Sequence, residues 1–264
     1  MNVQGEVRSG PDELLLDRVE GKNPVAEVLK AGRPIHKIWV AVPENRRYDP
    51  VTYQIIREAK ANGALIIETD KKTLDRMSQS HGHQGIIAQV AMHEYVDVDD
   101  ILEYASSLGE PPFIAILDEL KESYNLGSIL RIADAAGLHG VIIPKHRSVG
   151  LDAAVAKASA GAMEHVRVAR VTNIRATMEE LKEKGLWIFA TDSKGEKNYD
   201  EADFTGPAAV LIGSEGEGIG PSVLRECDFL VRIPMRGKVN SLNAAVAAGI
   251  VLFEAAKQRG VHHG

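Results

Sequence analysis

The chain of 264 residues contains a single cysteine, Cys227, which limits the chemistry available to it. One cysteine cannot form an internal disulfide, and it cannot supply the paired thiolates of a CxxC metal site. His81 and His83 form an HxH pair, but the sequence shows no third ligand for them, so we expect no bound metal. A disulfide-stabilised secreted domain is therefore excluded.

Long apolar segments are also absent. Although 44% of the residues are hydrophobic, no apolar run approaches the roughly 18 residues that a membrane span requires. Residues 1–11 are polar, contain glycine and lack the apolar core of a secretory signal. We therefore expect a cytoplasmic protein in which residues 1–13 form a disordered lead-in.

The chain has no basic excess that would attract nucleic acid as a whole. It carries 31 basic and 37 acidic residues, a formal net charge of −6. Residues 1–95 hold 13 of each kind, so the whole acidic excess lies in the remainder. Basic residues nevertheless cluster in predicted loops, at residues 145–147 and at Arg232, Arg236 and Lys238. These clusters are either phosphate sites on an acidic body or solvated surface charges.

The spacing of apolar segments predicts two α/β domains joined by a linker. Residues 14–92 form the first domain and residues 113–264 the second, and the acidic segment 93–112 predicts a linker helix. Predicted strands of the first domain are residues 37–42, 64–67 and 85–90. Its predicted helices are residues 25–29, 50–62 and 72–77.

The second domain alternates continuous apolar strands with helices. This pattern indicates a mainly parallel sheet covered by helices on both faces. Its predicted strands are residues 113–117, 140–143, 166–168, 187–191, 208–212 and 229–231. Its predicted helices are residues 126–136, 153–160, 174–184, 221–226 and 242–258.

The loop after strand 113–117 and the loop after strand 208–212 both carry candidate ligand-binding residues. In the first, Asn125 is a potential helix N-cap and Arg131 can reach a ligand at the helix start. The alternative is a plain cap with a surface arginine. In the second, residues 213–220 contain four glycines without the spacing of a P-loop or a dinucleotide fingerprint. Glu215 there suits a ligand with hydroxyl or amine donors, and a simple turn is the alternative.

A third loop, residues 232–243, combines basic side chains with two small polar residues before a helix rich in alanine. Ser241 and Asn243 either bind a ligand or serve as a helix cap and a first-turn polar residue. All three loops follow strands of one parallel sheet. Since ligands of such sheets bind beyond the carboxyl ends of the strands, we expect the loops to form one site.

The three loops carry motifs that resemble a known family. N-L-G-S-I-L-R (residues 125–131), I-G-S-E-G-E-G-I (212–219) and I-P-M-R-G-K-V-N-S-L-N (233–243) resemble motifs 1, 2 and 3 of the SpoU/TrmH 2′-O-ribose RNA methyltransferases. The first domain resembles the L30e-like substrate-binding domain of the RlmB-type members. That similarity is carried by V-E-G-K-N-P-V (19–25) and H-Q-G-I-I-A (83–88).

The resemblance implies S-adenosylmethionine as the methyl donor and a ribose 2′-hydroxyl of RNA as the acceptor. It implies the SPOUT fold with a C-terminal trefoil knot, and a homodimer formed through the C-terminal domain. The RlmB-like first domain implies a guanosine of large-subunit (23S) rRNA as the target. The alternatives are the same chemistry on tRNA or another rRNA site, and a catalytically silent RNA-binding factor of ribosome assembly.

The resemblance also implies roles for individual residues. The catalytic or RNA-positioning residues are Asn125, Arg131, Glu215, Ser241 and Asn243. The residues at the cofactor are Thr191, Gly213, Ile233, Met235 and Leu242. We expect Arg131 to bind a phosphate and polarise the hydroxyl, and Glu215 to orient Arg131 by a charge-assisted hydrogen bond.

The sequence departs from the family pattern at two places. Glu122-Ser123-Tyr124 stands where many relatives have Asp-Pro-His, and Ala244-Ala245 replaces a commoner Val-Ser. The candidate RNA contacts of the first domain are Lys22, Arg33, Lys37, Arg46 and Arg47.

Overall fold

A computed structural model describes residues 16–78, 82–216, 218–238 and 241–260. The lead-in predicted at residues 1–13 and the ligand candidate His81 lie outside these ranges. The chain divides into two compact units, Met1–His93 and Glu94–Gly264. Among the described residues, no helix combines the length and the apolar character needed to cross a membrane.

The first unit is a mixed four-stranded sheet with three helices in its described part. Its strand order is β1-β4-β2-β3; β4 runs antiparallel to β1 and β2, and β3 runs parallel to β2. Strand β1 was missed by the sequence analysis because L-D-R-V-E contains no apolar run or clean alternation. The elements are β1 (Leu16–Glu20), α1 (Lys22–Lys30), β2 (Ile35–Ala41), α2 (Pro50–Ala61), β3 (Leu65–Thr69), α3 (Lys71–Met77) and β4 (Ile86–Ala91).

The second unit is built on a seven-stranded sheet in which every neighbouring pair is parallel, with the order β7-β6-β5-β10-β8-β11-β9. This confirms the predicted α/β fold with a parallel sheet. Its elements are α4 (Val98–Leu108), β5 (Phe113–Leu117), α5 (Ser123–Ala135), β6 (Gly140–Pro144), α6 (Ala153–Ala158), β7 (Val168–Val171), α7 (Ile174–Glu183), β8 (Trp187–Thr191), β9 (Lys197–Asn198), β10 (Ala208–Ile212), α8 (Pro221–Leu224), β11 (Phe229–Arg232) and α9 (Ala244–Gln258).

Helices cover both faces of this sheet because its strands are apolar on both sides. Along β5, Phe113 and Leu117 belong to one buried cluster with residues of α5, α6 and α9. Ile114 and Ile116 point to the opposite cluster, which contains residues of α4 and α7. The alternation places one helical layer on each face.

The linker helix predicted in segment 93–112 is instead packed into the second unit. Helix α4 packs on the sheet of the second unit, where Ile101 is completely buried. A Cβ atom on Gly140 would lie 2.7 Å from Cγ1 of Ile101, so only glycine allows the helix to approach β6 this closely. The acidic residues of the segment suggested an exposed linker, but its buried apolar residues make it part of the second unit.

The C-terminal strands are not arranged in chain order. Strand β11 lies between β8 and β9, so the connection from β8 to β9 crosses it. A Cβ atom on Gly195 in this connection would lie 2.7 Å from the backbone carbon of Val231. After β11, the chain continues into α9, which packs on α5. The trefoil knot that the resemblance implied stays a prediction.

Candidate functional site

The loops at the carboxyl ends of the strands form one continuous edge. Because the strand order is β6-β5-β10-β8-β11 across the centre of the sheet, the loops that follow these strands are neighbours in the same order. All three motif loops lie on this edge, since they follow β5, β10 and β11. The structure therefore brings the three sequence motifs together.

A cavity of about 390 Å³ opens among the loops after β8, β10 and β11. The five residues predicted at the cofactor all line it, and so do Glu215 and Ser241. Asp192 and Ser193 also line it; they were missed, although their position directly after strand β8 was a usable signal. The lining residues are Thr191, Asp192, Ser193, Ile212, Gly213, Ser214, Glu215, Gly216, Gly218, Val231, Ile233, Met235, Ser241, Leu242, Ala244 and Ala247.

One wall of the cavity is a tight turn made of backbone. The Ser214 and Gly218 amides each donate to the other residue's carbonyl oxygen, both at 3.1 Å. Gly216 and Gly218 have φ values of 84° and 70°, which L side chains rarely adopt. A Cβ atom on Gly213 would lie 2.6 Å from the Ile219 nitrogen and 2.7 Å from the Gly218 oxygen. Glycine at position 213 is therefore required by packing.

Three predicted site residues, one from each motif, form a hydrogen-bonded network at the border of this cavity. The Asn125 amide donates to Oε1 of Glu215 at 2.8 Å. The Asn243 amide donates to Oδ1 of Asn125 at 3.0 Å and also to the same Glu215 oxygen. Asn125 is only 3% exposed, so Glu215 and Asn243 supply its amide with partners away from water.

The two asparagines have different positions in their helices from those expected. Oδ1 of Asn243 accepts from the amides of Ala245 (2.9 Å) and Val246 (3.2 Å), so Asn243 is the N-cap of α9. Ser241, predicted as the possible cap, lies outside the helix because α9 begins at residue 244 rather than 242. Asn125 lies inside α5 and not at its cap, because the helix begins two residues earlier, at Ser123.

Arg131 lies apart from this network. It is exposed on α5, six residues after the buried Asn125, and this spacing places the two side chains on different faces of the helix. The expected hydrogen bond from Arg131 to Glu215 is not formed, because Glu215 accepts from the two asparagines instead. Within the described part of the chain, the Arg131 guanidinium makes no hydrogen bond or ion pair, which leaves it available to a ligand.

The loops after β5 and β10 are also linked by a buried carboxyl group. Asp118 accepts a weak hydrogen bond from the Gly220 amide at 3.4 Å. Burial raises the pKa of Asp118, and the neighbouring Glu119 carboxylate acts in the same direction. Asp118 was not among the predicted site residues, although it directly follows a predicted strand.

The candidate RNA contacts of the first unit have unequal environments. Arg33 is mostly buried: it donates to the Ala91 carbonyl at 2.7 Å and lies 3.6 Å from the Asp17 carboxylate, so its role is structural. Lys22 pairs with Asp49 at 2.7 Å, and this contact helps to hold the pKa of Asp49 well below its usual range. Lys37 lies over the Trp39 ring, whereas Arg46 and Arg47 are exposed.

His83 is part of a compact loop. Its Nδ1 atom accepts from the Gly85 amide at 2.9 Å, and its Nε2 atom therefore donates to Asp75, also at 2.9 Å. In the described ranges, no group of three His, Cys, Asp or Glu residues is placed to hold a metal ion.

Comparisons with known proteins match both units. The model of the SpoU rRNA Methylase family matches residues 112–253, and a model described as RNA 2′-O ribose methyltransferase substrate binding matches residues 18–96. A putative TrmH family tRNA/rRNA methyltransferase of Bacillus subtilis, YacO, is 49% identical over 243 residues, which cover 92% of this chain and 96% of that protein.

Two solved structures with bound S-adenosylmethionine are similar over most of the chain. The SpoU methyltransferase AviRb from Streptomyces viridochromogenes aligns with a TM-score of 0.79 at 27% identity, over 93% of this chain and 91% of its own. An rRNA methyltransferase from Sinorhizobium meliloti aligns with a TM-score of 0.76 at 27% identity, over 92% and 87%.

Proposed function

The chain belongs to the SpoU rRNA methylase family and is an S-adenosylmethionine-dependent RNA methyltransferase, and we propose that it methylates the ribose 2′-hydroxyl of a guanosine in 23S rRNA. The observation that carries the proposal is the network of Asn125, Glu215 and Asn243 at the border of the cavity. It places amide groups, which suit hydroxyl and phosphate groups of RNA, and a carboxylate, which suits a hydroxyl donor, next to a pocket suited to the methyl donor.

The cavity fits S-adenosylmethionine in size and in chemistry. Its volume of about 390 Å³ lies within the range of small-molecule sites. Apolar side chains of Ile212, Ile233 and Leu242 and the backbone of residues 213–216 would hold the adenosyl portion. When bound, S-adenosylmethionine supplies a methyl group on a positively charged sulfonium. Asp192 and Glu215 give the cavity acidic groups that suit this charge.

The residues of the chain have to position a ribose hydroxyl and manage its proton. We assign the orientation of ribose and phosphate to Asn125, Ser241 and Asn243, with Glu215 fixing both asparagine amides. A guanidinium group offers N–H donors and no acceptor, so we assign Arg131 the role of a donor rather than a base. Its exposed guanidinium would bind the adjacent phosphate and polarise the hydroxyl.

The rRNA target is supported by the first unit. Residues 18–96 match the substrate-binding model, and the rRNA methyltransferase of Sinorhizobium meliloti aligns over 92% of the chain, including both units. A folded RNA would be recognised there by shape and phosphate contacts, with Arg46 and Arg47 as the exposed candidates. tRNA is the competing target, since the name of the Bacillus subtilis relative includes both RNAs.

We also propose that the protein is a cytoplasmic homodimer formed through α9. Val246 and Phe253 are exposed and, seven residues apart, lie on the same face of this helix. A second copy would cover this apolar face. Analytical ultracentrifugation tests the dimer, and a monomer at micromolar concentration would contradict it. Fractionation of cells followed by immunoblotting tests the location.

The decisive experiment maps 2′-O-methyl groups in rRNA and tRNA from cells with and without the gene. The proposal predicts that one guanosine of 23S rRNA loses its methyl group in the deletion strain and regains it on complementation. Purified protein and labelled S-adenosylmethionine should then label unmodified 23S rRNA at the same position. A lost tRNA methyl group, with rRNA unchanged, would contradict the target; a base-linked methyl group would contradict the ribose acceptor.

A further inference from the structure

The edge of the seven-stranded sheet has a second part that does not line the cavity. It consists of the loops after β5 and β6, residues 118–122 and 145–152, and of Tyr124 in the first turn of α5. We refer to residues 118–124 and 145–152 together as the rim. The rim lies on the β6-β5 half of the edge, and the cavity lies on the β10-β8-β11 half.

The two loops of the rim are fixed to each other. The Arg147 guanidinium lies 3.0 Å from the Glu119 carboxylate. The Val149 amide and the Ser148 hydroxyl both donate to the Leu120 carbonyl, at 2.8 and 3.0 Å. Glu119 and Arg147 adopt positive φ angles of 51° and 58°. Such angles are unfavourable for residues other than glycine, and they persist here because the contacts between the loops hold them.

The rim leads directly to the hydrogen-bonded network of the site. The Ser123 hydroxyl donates to the Asp152 carboxylate at 3.4 Å, which connects the second loop to the start of α5. Tyr124 follows, with 72% of its surface exposed, and the next residue is Asn125, which is 3% exposed and bonded to Glu215. The aromatic ring of Tyr124 is therefore exposed to water, on the residue that directly precedes Asn125 in α5.

The chemistry of the rim suits RNA. Lys145, His146 and Arg147 are exposed in succession, and the Arg147 side chain remains 77% exposed despite its ion pair. Lys145 and Arg147 are cations on a chain whose formal net charge is −6. Proteins hold unpaired nucleotides by stacking bases on aromatic rings and by neutralising phosphates with basic side chains. Tyr124 offers the ring, and Lys145 and Arg147 offer the basic groups, in two segments that hydrogen bonds and an ion pair join.

We propose that the rim is the subsite for the nucleotides that flank the methylated ribose, with Tyr124 stacked on a base and Arg147, assisted by Lys145, paired with a phosphate. This rests on the proposed RNA methylation and adds the residues that hold the RNA in place. Tyr124 and Arg147 are positioning residues: they set the affinity for RNA and take no part in the transfer.

Tyr124→Ala and Tyr124→Phe test the stacking, with in vitro transcribed, unmodified 23S rRNA as substrate. Loss of one stacked base predicts that Tyr124→Ala raises KM for RNA by about tenfold, while kcat and the Kd for S-adenosylmethionine stay within about twofold. Tyr124→Phe keeps the ring and should restore KM. Trp187→Ala is the matched control, because Trp187 is 53% exposed at the amino end of β8, on the opposite edge of the sheet. An unchanged KM for Tyr124→Ala, or an equal loss of cofactor affinity, would overturn the stacking role.

Arg147→Gln and Glu119→Gln test the phosphate contact through the salt dependence of RNA binding. If Arg147 neutralises one phosphate, Arg147→Gln weakens binding and lowers the slope of log K against log salt by about one. Glu119→Gln removes only the carboxylate partner, so RNA affinity should stay the same or increase. If both variants weaken binding equally, the ion pair merely supports the loop and the proposal is wrong. Lys184→Gln removes a charge at the far end of α7 and should leave the slope unchanged.

The wild-type protein separates this proposal from the proposed function. If the wild type methylates no RNA, the proposed function fails. If it methylates 23S rRNA and both Tyr124→Ala and Arg147→Gln bind and methylate that RNA normally, only the assignment of the rim fails.

Discussion

The cavity and the rim occupy the same edge of one sheet, but they are built from different parts of the chain. One wall of the cavity is backbone: Gly213 lies where a Cβ atom would collide with the neighbouring turn. The rim presents side chains: Tyr124 and Arg147 extend into solvent from loops held by hydrogen bonds. A wall made of backbone keeps its shape unless the fold itself changes. Exposed side chains, in contrast, can be substituted without disturbing the fold.

The network of Asn125, Glu215 and Asn243 lies where these two regions meet. Asn125 belongs to the helix that begins at the rim, Glu215 belongs to the turn that lines the cavity, and Asn243 caps the helix beyond it. The hydrogen bonds among these two amides and one carboxylate therefore connect the rim to the cavity. Substitutions on the two sides should separate RNA-dependent effects from cofactor-dependent effects, whereas a substitution in the network should affect the transfer step itself.

Arg131→Ala should have the largest effect on turnover, because it removes the cation to which we assign the phosphate contact and leaves the lining of the cavity unchanged. We expect kcat to fall by about 10²- to 10³-fold, as when one donor to a reacting centre is removed. The Kd for S-adenosylmethionine, measured by calorimetry, should stay within about twofold. Lys184→Ala, on the opposite edge, is the control. Near-normal turnover by Arg131→Ala would remove this residue from the mechanism.

Gly213→Ala tests the backbone region. The added methyl group would approach the Ile219 nitrogen to 2.6 Å, and overpacking of this kind costs about 1–3 kcal/mol. Since the turn forms a wall of the cavity, the affinity for S-adenosylmethionine should fall about 10- to 100-fold, with RNA binding retained. Gly206→Ala is the matched control, because a Cβ atom there meets nothing within 4 Å and its backbone has no positive φ. Equal cofactor affinities for the two variants would show that the turn tolerates side chains.

Glu215→Ala and Glu215→Gln test the junction of the two regions. Alanine leaves the amide of the buried Asn125 without its acceptor, at a cost of about 1–3 kcal/mol, so kcat should fall about tenfold or more. Glutamine can place its carbonyl oxygen where Oε1 accepts from both asparagines, and it should keep much of the activity. If glutamine is as damaging as alanine, the negative charge of Glu215 matters more than the orientation of the asparagines.

The sequence predicted the regular part of the fold well because its signals are local. Strands β5, β8 and β10 have the predicted bounds, since each is a short apolar run with Gly, Pro or Asp within two residues of either end. The position of β11 between β8 and β9 could not be predicted from periodicity, because periodicity does not report which strands become neighbours. The packing of α4 was missed because it depends on Gly140, about 40 residues further along the chain.

The candidate site shows the same division. Motif composition identified Asn125, Glu215 and Asn243, but it assigned Glu215 the wrong partner. The short spacing from Asn125 to Arg131 suggested that both side chains could contact one ligand. Contact depends instead on the faces of α5, and Arg131 lies on a different face from Asn125. The rim was recognised only as a basic cluster, because its contact with Glu119 depends on the pairing of β5 with β6.

Substitution of His139 should have the smallest effect on activity and a separate effect on stability. His139 lies at the amino ends of the strands, remote from both the cavity and the rim. His139 is buried; its Nδ1 atom accepts from the Phe113 amide at 2.9 Å and its Nε2 atom faces Glu110 at 3.2 Å. Burial lowers the pKa of His139, outweighing the opposing effect of Glu110. Above pH 6.5 both folded and unfolded chains hold a neutral imidazole, so this contribution to stability is complete.

As the pH falls below 6.5, the unfolded chain takes up the proton first, and the free energy of unfolding decreases until the folded-state pKa is reached. His139→Asn retains an acceptor for the Phe113 amide but cannot titrate. Urea denaturation at pH 8, 7, 6 and 5 should therefore show the wild type losing stability relative to this variant between pH 7 and 5, because all other titrating groups are common to both proteins. At pH 8 the KM for RNA and the cofactor Kd of the variant should equal those of the wild type. Parallel pH profiles would mean that His139 titrates alike in both states; a changed KM or Kd would mean that the amino edge is coupled to the rim or to the cavity.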